Sequence, residues 1–286
     1  MKRIILTLIA ILVGLYIVLA ILGSRGEYAA EKMYYDASRA AEKIAANPDV
    51  VPPRSIDYIE RKLKTLLQKF PNTEVARTVD IKLAEFYIAF KKYDLAIAQL
   101  DAVIKKHATN KTMLSMAYFL KGLAYERQDK WADALKQYEI VRDSYSETQV
   151  GLQVPVYIGN YYMAKGREAD ARQAYSEAIQ FYTKLEKDNS GKPLGYMAAL
   201  YVIQAYMRAD NFEAAAVEVE KDLDKYYSSV TLVHLLPLVE NIIIAKLNNP
   251  EKAIAIYKSI LAKSKDPKLN NALEKRIKGL SEKKPS

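Results

Sequence analysis

An alanine recurs at a nearly constant interval along this chain, each time at the end of a short polar stretch such as K-Y-D-L-A or K-W-A-D-A. Five such alanines lie 38, 37, 44 and 38 residues apart: Ala96, Ala134, Ala171, Ala215 and Ala253. A repeat of this length is one supersecondary unit, and it must stack on its neighbours because one unit alone cannot bury its apolar face. The period therefore predicts an elongated array of repeats, and arrays of this kind are typical of proteins that bind partners.

The residues around each alanine also recur at fixed distances. A large residue stands nine positions before it: Tyr87, Tyr125, Tyr162, Tyr206 and Ile244. Another stands four positions after it: Leu100, Tyr138, Tyr175, Val219 and Tyr257. A third position follows seven residues after it: Val103, Val141, Ala178, Asp222 and Ile260. These intervals place the side chains on one face of a helix, so each unit is predicted to be two antiparallel helices joined by a tight turn, with the tyrosines in the core.

Two of the units add a glycine three residues before the first tyrosine, at Gly122 and Gly159. This order of residues resembles the tetratricopeptide repeat, whose signature is Leu-Gly-x-x-Tyr, then Ala-x-x-x-Phe, then Ala. The five copies span residues 77–110, 115–148, 152–185, 196–229 and 234–267. The last copy departs furthest, because Asn241 and Ile244 replace the glycine and the tyrosine. The resemblance implies an all-α fold, an α-solenoid of antiparallel helix pairs.

The other segments are assigned around this array. Residues 1–25 are interpreted as an N-terminal membrane anchor or uncleaved signal. Residues 26–76 are interpreted as N-terminal helices with a degenerate repeat, because three prolines in 47–54 interrupt a helix-favouring sequence. The five repeats then occupy 77–267, and a basic capping helix and tail occupy 268–286.

Residues 4–22 form an uncharged apolar run of 19 residues, which is long enough to cross a bilayer as a helix. A cleaved signal peptide is the alternative, but its apolar region is usually about 7–15 residues and no good cleavage site follows here. Lys2 and Arg3 precede the run and only Arg25 closely follows it, which favours a cytoplasmic N-terminus. The sequence therefore predicts a single-pass membrane protein with extracytoplasmic repeats, periplasmic in a Gram-negative bacterium.

The formal net charge of +9 does not belong to the repeats. Residues 26–257 carry 31 basic and 31 acidic side chains, and the excess lies beside the apolar run and in 258–286. The basic residues are not interleaved with exposed aromatic residues, so nucleic acid is not an expected partner. The basic tail is expected to be a solvated capping helix, or else to attract anionic lipid or an acidic partner.

The sequence lacks the patterns that carry known chemistry. There is no cysteine, no H-E-x-x-H, no phosphate-binding glycine loop and no G-x-S-x-G. His107 and His234 lie far apart, and both are expected in surface or helix-cap positions. The acidic run Glu218, Glu220, Asp222 and Asp224 alternates along a helix and is expected to be a solvated face. No metal, cofactor or enzymatic activity is therefore expected.

In the tetratricopeptide family, ligand contacts cluster at the fifth, ninth and twelfth positions of each first helix. Carried onto this chain, those positions are Ile81, Glu85, Ile88, Phe119, Leu123, Glu126, Val156, Asn160, Met163, Leu200, Gln204, Met207, Leu238, Ile242 and Ala245. Members that clamp a terminal carboxylate use Lys and Asn there, and here only Asn160 fits. The resemblance therefore implies an apolar, amide-containing groove, some of whose residues pack between repeats instead.

The layout is similar to that of the ancillary tetratricopeptide subunit of the Sec translocon. The step F-P-N-T at 70–73 also resembles steps in β-barrel assembly lipoproteins and in the Tol–Pal coordinator, although no lipoprotein cysteine is present. The main hypothesis is a non-catalytic, membrane-anchored adaptor that binds proteins or peptides in the cell envelope. The alternatives are a self-associating scaffold, which forms a homo-oligomer, and more distantly an envelope enzyme with an unrecognised site.

Overall fold

The computed structural model describes the backbone of residues 2–45 and 52–282, and the side chains of these residues except 2–11, 15, 17–25, 45, 53 and 229. Within the described residues every regular element is a helix, which confirms the all-α expectation for that part of the chain. The chain forms two compact units, Met1–Val150 and Gly151–Ser286.

Six helices lie within the described part of the first unit. They are α1 Lys2–Ala45, α2 Pro53–Lys69, α3 Glu74–Ala89, α4 Tyr93–Lys106, α5 Lys111–Glu126 and α6 Trp131–Ser144. The remaining described elements belong to the second unit, apart from the first two residues of the helix that begins it. They are α7 Gln149–Ala164, α8 Glu168–Asp188, α9 Pro193–Arg208, α10 Phe212–Lys225, α11 Ser229–Leu238, a π-helix Val239–Lys246, α12 Pro250–Lys263 and α13 Pro267–Glu282.

A left-handed residue lies between the two helices of every repeat, and the first four repeats share one hydrogen-bonded turn. Five residues before each repeat alanine the backbone is left-handed, with φ of 58°, 59°, 68°, 53° and 47° at Lys91, Asp129, Gly166, Asp210 and Asn248. The amide that follows donates a hydrogen bond back to the repeat tyrosine's carbonyl, from Lys92 to Tyr87, Lys130 to Tyr125, Arg167 to Tyr162 and Asn211 to Tyr206. This is the bond pattern of a Schellman motif, which ends a helix and reverses the chain. The short polar stretch in each unit is therefore a helix stop.

Where the two helices of a repeat cross, one residue of each helix shares a single limited space. A β-carbon added at Gly122 would lie 2.5 Å from Cε1 of Tyr138, and one at Gly159 would lie 2.3 Å from Cε1 of Tyr175. Both distances are shorter than carbon atoms tolerate, so the fully buried tyrosine rings fit only because the facing residue is glycine. All five repeat alanines are buried as well.

Two repeats fill the same crossing with a different pair of residues. The position 12 residues before the alanine is Ala84 in the first repeat and Ile203 in the fourth, and the position four residues after it is Leu100 and Val219. Ala84 packs with Leu100 in one core cluster, and Ile203 packs with Val219 in another. As the first-helix residue grows from Gly to Ala to Ile, the facing residue shrinks from Tyr to Leu to Val.

The last repeat breaks this rule. Its corresponding residues are Asn241 and Tyr257, and a regular helix would direct the asparagine at a fully buried ring. The first helix instead becomes a π-helix over Val239–Lys246. The turn amide of Asn249 bonds to the carbonyl of Ile243, six residues back instead of five, so the segment holds one extra residue. Asn241 is exposed as a result, while Ile242 and Ile243 are fully buried.

Ahead of the repeats, α1 packs on both α2 and α3, and Ala30 and Ala37 of α1 are buried. The carboxylate of Glu27 accepts hydrogen bonds from the amides of Glu74 and Val75 at 3.2 and 3.1 Å, so it caps the N-terminus of α3. Residues 4–22 are helical in backbone, but most of their side chains lie outside the described residues. Across the described residues no helix is both long and apolar enough to span a bilayer. The membrane anchor therefore stays a prediction.

The shared space at the crossing predicts an unusual response to substitution of glycine by alanine. Alanine normally stabilises a helix relative to glycine by roughly 0.5–1 kcal/mol. Gly122→Ala and Gly159→Ala are expected instead to destabilise the chain by about 1–3 kcal/mol, because the new methyl group overlaps a tyrosine ring. Chemical denaturation measures both values.

The matched control is Gly279→Ala in α13, where an added β-carbon meets nothing within 4 Å. This variant is expected to be neutral or stabilised. Equal effects of all three substitutions on the free energy of unfolding would contradict the proposed crowding at the crossing.

Candidate functional site

In the first unit, most of the positions implied as ligand contacts are half-buried and support the core. Ile81, Ile88, Phe119 and Leu123 pack against the cluster that contains Ala84 and Leu100. The Phe119 ring lies 5.6 Å from the Tyr138 ring, and the Tyr138 hydroxyl donates to Glu126 at 2.8 Å. Glu85 accepts a hydrogen bond from Lys82 at 2.7 Å. These contacts give the six residues structural roles in this unit.

In the second unit the same positions divide between core and surface. Val156 and Ile242 are buried, and the Tyr175 hydroxyl donates to Asn160 at 2.8 Å. Met163 is exposed, at 40% of its surface, and Ala245 is also exposed. The expectation that Ile242 contacts a ligand in the groove is wrong, because this residue is buried. The π-helix turns Ile242 inward and brings its neighbour Asn241 to the surface.

Four of the implied positions meet in one open pocket of about 590 Å³ in the second unit, between α9 and α11 with its π-helix. They are Leu200, Gln204, Met207 and Leu238. The lining is completed by Arg208, Asp210, Phe212, His234, Asn241 and Lys246. The pocket therefore combines apolar side chains, two amides and two basic groups, which is a composition suited to a peptide.

The two helices that form this pocket run side by side in the same direction. Near their N-termini the Tyr196 hydroxyl donates to the carbonyl of Thr231 at 3.3 Å, and the Tyr196 and His234 rings lie 6.4 Å apart. Near their C-termini Arg208 and Lys246 both line the pocket, and the Lys246 ammonium lies 5.1 Å from the Phe212 ring centre. His234 lies on the pocket wall and in the middle of α11. It is exposed, which agrees with the expected surface position.

A second pocket, of about 600 Å³, lies in the first unit between α1, α2 and α3. Its lining is mostly apolar and includes Ala37, Ile59 and Phe86, with Lys82 and Glu85 on one side. Only Glu85 was implied by the repeat positions. The repeat spacing could not predict the residues that α1 and α2 contribute to this pocket, because these helices precede the recognisable copies of the repeat.

Residues 81–147 and 119–185 match the profile of the tetratricopeptide repeat family. This segment carries tetratricopeptide repeats. It includes both repeats in which glycine faces a tyrosine, at Gly122 and Gly159.

Two solved structures are similar to this chain. A tetratricopeptide repeat protein from Parabacteroides merdae is 13% identical, with 89% of this chain and 99% of that chain covered and a TM-score of 0.38. BtubC (BKLC) from P. vanneervenii is also 13% identical, with 91% and 94% covered and a TM-score of 0.34. No curated protein matches the chain significantly.

The repeats of the second unit also bury an acidic pair. Asp222 of α10 has no exposed surface, and neither of its carboxylate oxygens has a hydrogen-bond partner among the described residues. Glu186 of α8 is nearly buried too, and it accepts hydrogen bonds from Lys225 at 2.6 Å and Tyr226 at 3.2 Å. The acidic run is therefore not wholly a solvated face, because its third member occupies a core position of the repeat.

This environment changes the proton affinity of Asp222. Burial raises its pKa, and the negative charges of Glu186 and Glu218 raise it further, while Lys221 and Lys225 lower it; the result is about 7. Glu60 in the first unit shows the opposite balance. Burial there raises the pKa, but hydrogen bonds from Lys64, Lys92 and Tyr87 outweigh it and hold the pKa at about 2.

The other histidine also has a structural partner. His107 ends α4, and its Nε2 lies 2.9 Å from a carboxylate oxygen of the buried Asp80, which Lys106 also contacts at 2.6 Å. His107 is therefore the C-cap of α4, which confirms the expected helix-cap position, and its side chain takes part in a buried polar contact. Within the described ranges 2–45 and 52–282, no group of three or more His, Cys, Asp or Glu residues is arranged to hold a metal ion.

Asp222 predicts a pH dependence of stability. Its folded pKa of about 7 lies above the ordinary value of 3.8, so the folded chain retains a proton that the unfolded chain releases. The free energy of unfolding is therefore expected to fall as pH rises from about 4 to about 7, by at most about 4 kcal/mol, and then to level off. Asp222→Asn removes this contribution.

Denaturation of the wild type and of Asp222→Asn at pH 4.5 and 7.5 measures the effect. The wild type is expected to lose stability relative to the variant at the higher pH. Asp188→Asn, at an exposed position of α8, is the matched control and is expected to follow the wild type. A stability difference between wild type and Asp222→Asn that is the same at both pH values would contradict the assigned proton.

Proposed function

We propose that this chain is a non-catalytic scaffold that binds a segment of another protein through the first helices of its repeats. Tetratricopeptide repeats are typical of protein-interaction scaffolds, and residues 81–185 match that family. The observation that carries the proposal is the pocket of the second unit, where Leu200, Gln204, Met207 and Leu238 meet in an open space of about 590 Å³. A pocket of this size accepts several side chains of a bound segment.

We further propose that residues 4–22 anchor the chain in a membrane, with the repeats on the extracytoplasmic side as part of an envelope assembly or secretion pathway. The support is the uncharged run of 19 residues and the position of Lys2 and Arg3 before it. The α1 backbone continues without a break from this run to Ala45, and its second half packs on α2 and α3. An anchor at 4–22 would therefore be joined to the first unit by a helix without any linker.

Topology is tested by alkaline extraction of membranes and by protease treatment of spheroplasts. The full-length chain is expected to stay in the membrane pellet, and its repeats are expected to be digested from outside the cell. A version that lacks residues 1–25 is the control and is expected in the soluble fraction. Release of the full-length chain by alkali, or protection of its repeats from protease, would contradict the anchor or its orientation.

The binding surface is tested by photo-crosslinking in intact cells. A photoreactive residue at position 204 or 163 is expected to form an adduct with another protein, because Gln204 lines the pocket and Met163 is exposed on a first helix. The matched control is position 184, where Lys184 is exposed on the second helix α8.

The adduct mass separates the two scaffold hypotheses. An adduct with a different protein supports the adaptor. An adduct of two copies of this chain supports the self-associating scaffold, for which the exposed Val230 and Val233 give an apolar contact. Equal or absent crosslinking at positions 204, 163 and 184 would mean that the chain binds its partner through a different surface.

A further inference from the structure

We propose that the pocket between α9 and α11 is one end of a polarised site, which binds an extended internal segment of a partner protein carrying apolar residues at one end and Asp or Glu at the other. This inference rests on the proposed scaffold function and assigns the chemistry of the ligand.

Beyond the pocket lining, exposed apolar side chains lie near the N-termini of both helices. Val230 and Val233 on α11 expose 71% and 69% of their surface, and Met197 on α9 exposes 41%. The helices are adjacent here, because Tyr196 bonds to the Thr231 carbonyl. Large exposed apolar side chains on neighbouring helices favour a ligand that covers them with apolar groups of its own.

The C-terminal end of the site is basic. Arg208 on α9 and Lys246 at the end of the π-helix both line the pocket, and in the described part of the chain neither forms an ion pair. Asp210 is the only acidic residue of the lining, so the formal charge of the pocket is +1 with His234 neutral. The amides of Gln204 and Asn241 line the same pocket as these cations. A carboxylate is the group that two cations and neighbouring amide donors recognise.

The π-helix contributes directly to this arrangement. In regular register Asn241 would face the buried Tyr257, as Gly122 faces Tyr138. The extra residue in Val239–Lys246 brings Asn241 into the pocket instead. The feature that departs most from the repeat pattern therefore supplies a polar group to the site, as π-helices frequently do.

The length of the site limits the ligand. From Val230 to Lys246 the helix rises at most about 24 Å, because about 1.5 Å per residue is the α-helical rise and the π-helical residues Val239–Lys246 rise less. An extended chain covers this distance with about seven residues at roughly 3.3 Å each. The acidic and apolar positions of the ligand are therefore expected to lie about five to seven residues apart.

The acid is expected to be a side chain of an internal segment. Arg208, Asn241 and Lys246 are all exposed, and the pocket that they line is open to solvent. A ligand backbone can therefore continue past the cations, which is what an Asp or Glu inside a longer segment requires.

The test uses the full chain in detergent and a phage library of random dodecapeptides attached to the coat protein through their C-termini, so that no peptide has a free C-terminal carboxylate. Selected peptides are expected to combine apolar residues with Asp or Glu at the spacing given above. Replacement of the acid by its amide in a synthetic peptide with an amidated C-terminus should weaken binding by about tenfold. The same loss is expected for Arg208→Glu/Lys246→Glu.

The matched control is Lys184→Glu/Lys258→Glu, which makes the same charge change on the second helices α8 and α12 and should bind the peptide normally. Arg208→Gln/Lys246→Gln gives the same test if charge reversal unfolds the second unit. Peptides without acids, or binding that is unchanged in both Arg208/Lys246 variants, would overturn the polarised site and leave the scaffold function standing. Failure of the library to yield any binder, together with uniform crosslinking at positions 204, 163 and 184, would contradict the scaffold function itself.

Discussion

The architecture depends on how much volume two facing residues occupy where the paired helices of a repeat cross. The buried alanine and the left-handed turn residue are common to all five repeats, and the small alanine lets the paired helices lie close together. The remaining space is divided between one residue of each helix. Gly122 with Tyr138, Ala84 with Leu100 and Ile203 with Val219 are three solutions to this constraint.

The last repeat shows what happens when the constraint is not met. Asn241 and Tyr257 are together too large, and the first helix accommodates them with an extra residue in a π-helix. The Tyr257 hydroxyl is left without a hydrogen-bond partner among the described residues, and burial raises its pKa to about 12. The same change brings Asn241 to the pocket beside α9. A packing conflict in the core and the composition of the pocket lining are therefore linked through one helix.

The repeat register predicted the fold and most of the core from sequence, because its spacing is set by helix geometry. It even placed Asp222 at a core position, whereas the acidic run around it was wrongly interpreted as a solvated face. A run of charged residues predicts a solvated helix face only if the repeat positions of those residues are considered as well. Ile242 was predicted to lie in the groove because the repeat spacing assumes a regular α-helix. In the sequence, only the pair of large residues Asn241 and Tyr257 indicates that this helix contains an extra residue. The pocket beside α1 was missed because those helices lack the repeat pattern.

The shared space at the crossing is tested most directly by a double-mutant cycle with Gly159→Ala and Tyr175→Leu, measured by chemical denaturation of the full chain. The pair it creates, alanine facing leucine, is the one already present at Ala84 and Leu100. Each single change is expected to destabilise the chain, and the double variant is expected to be more stable than the sum of the two effects by about 1 kcal/mol or more. Additivity within about 0.5 kcal/mol would contradict the claim that the two residues share one space.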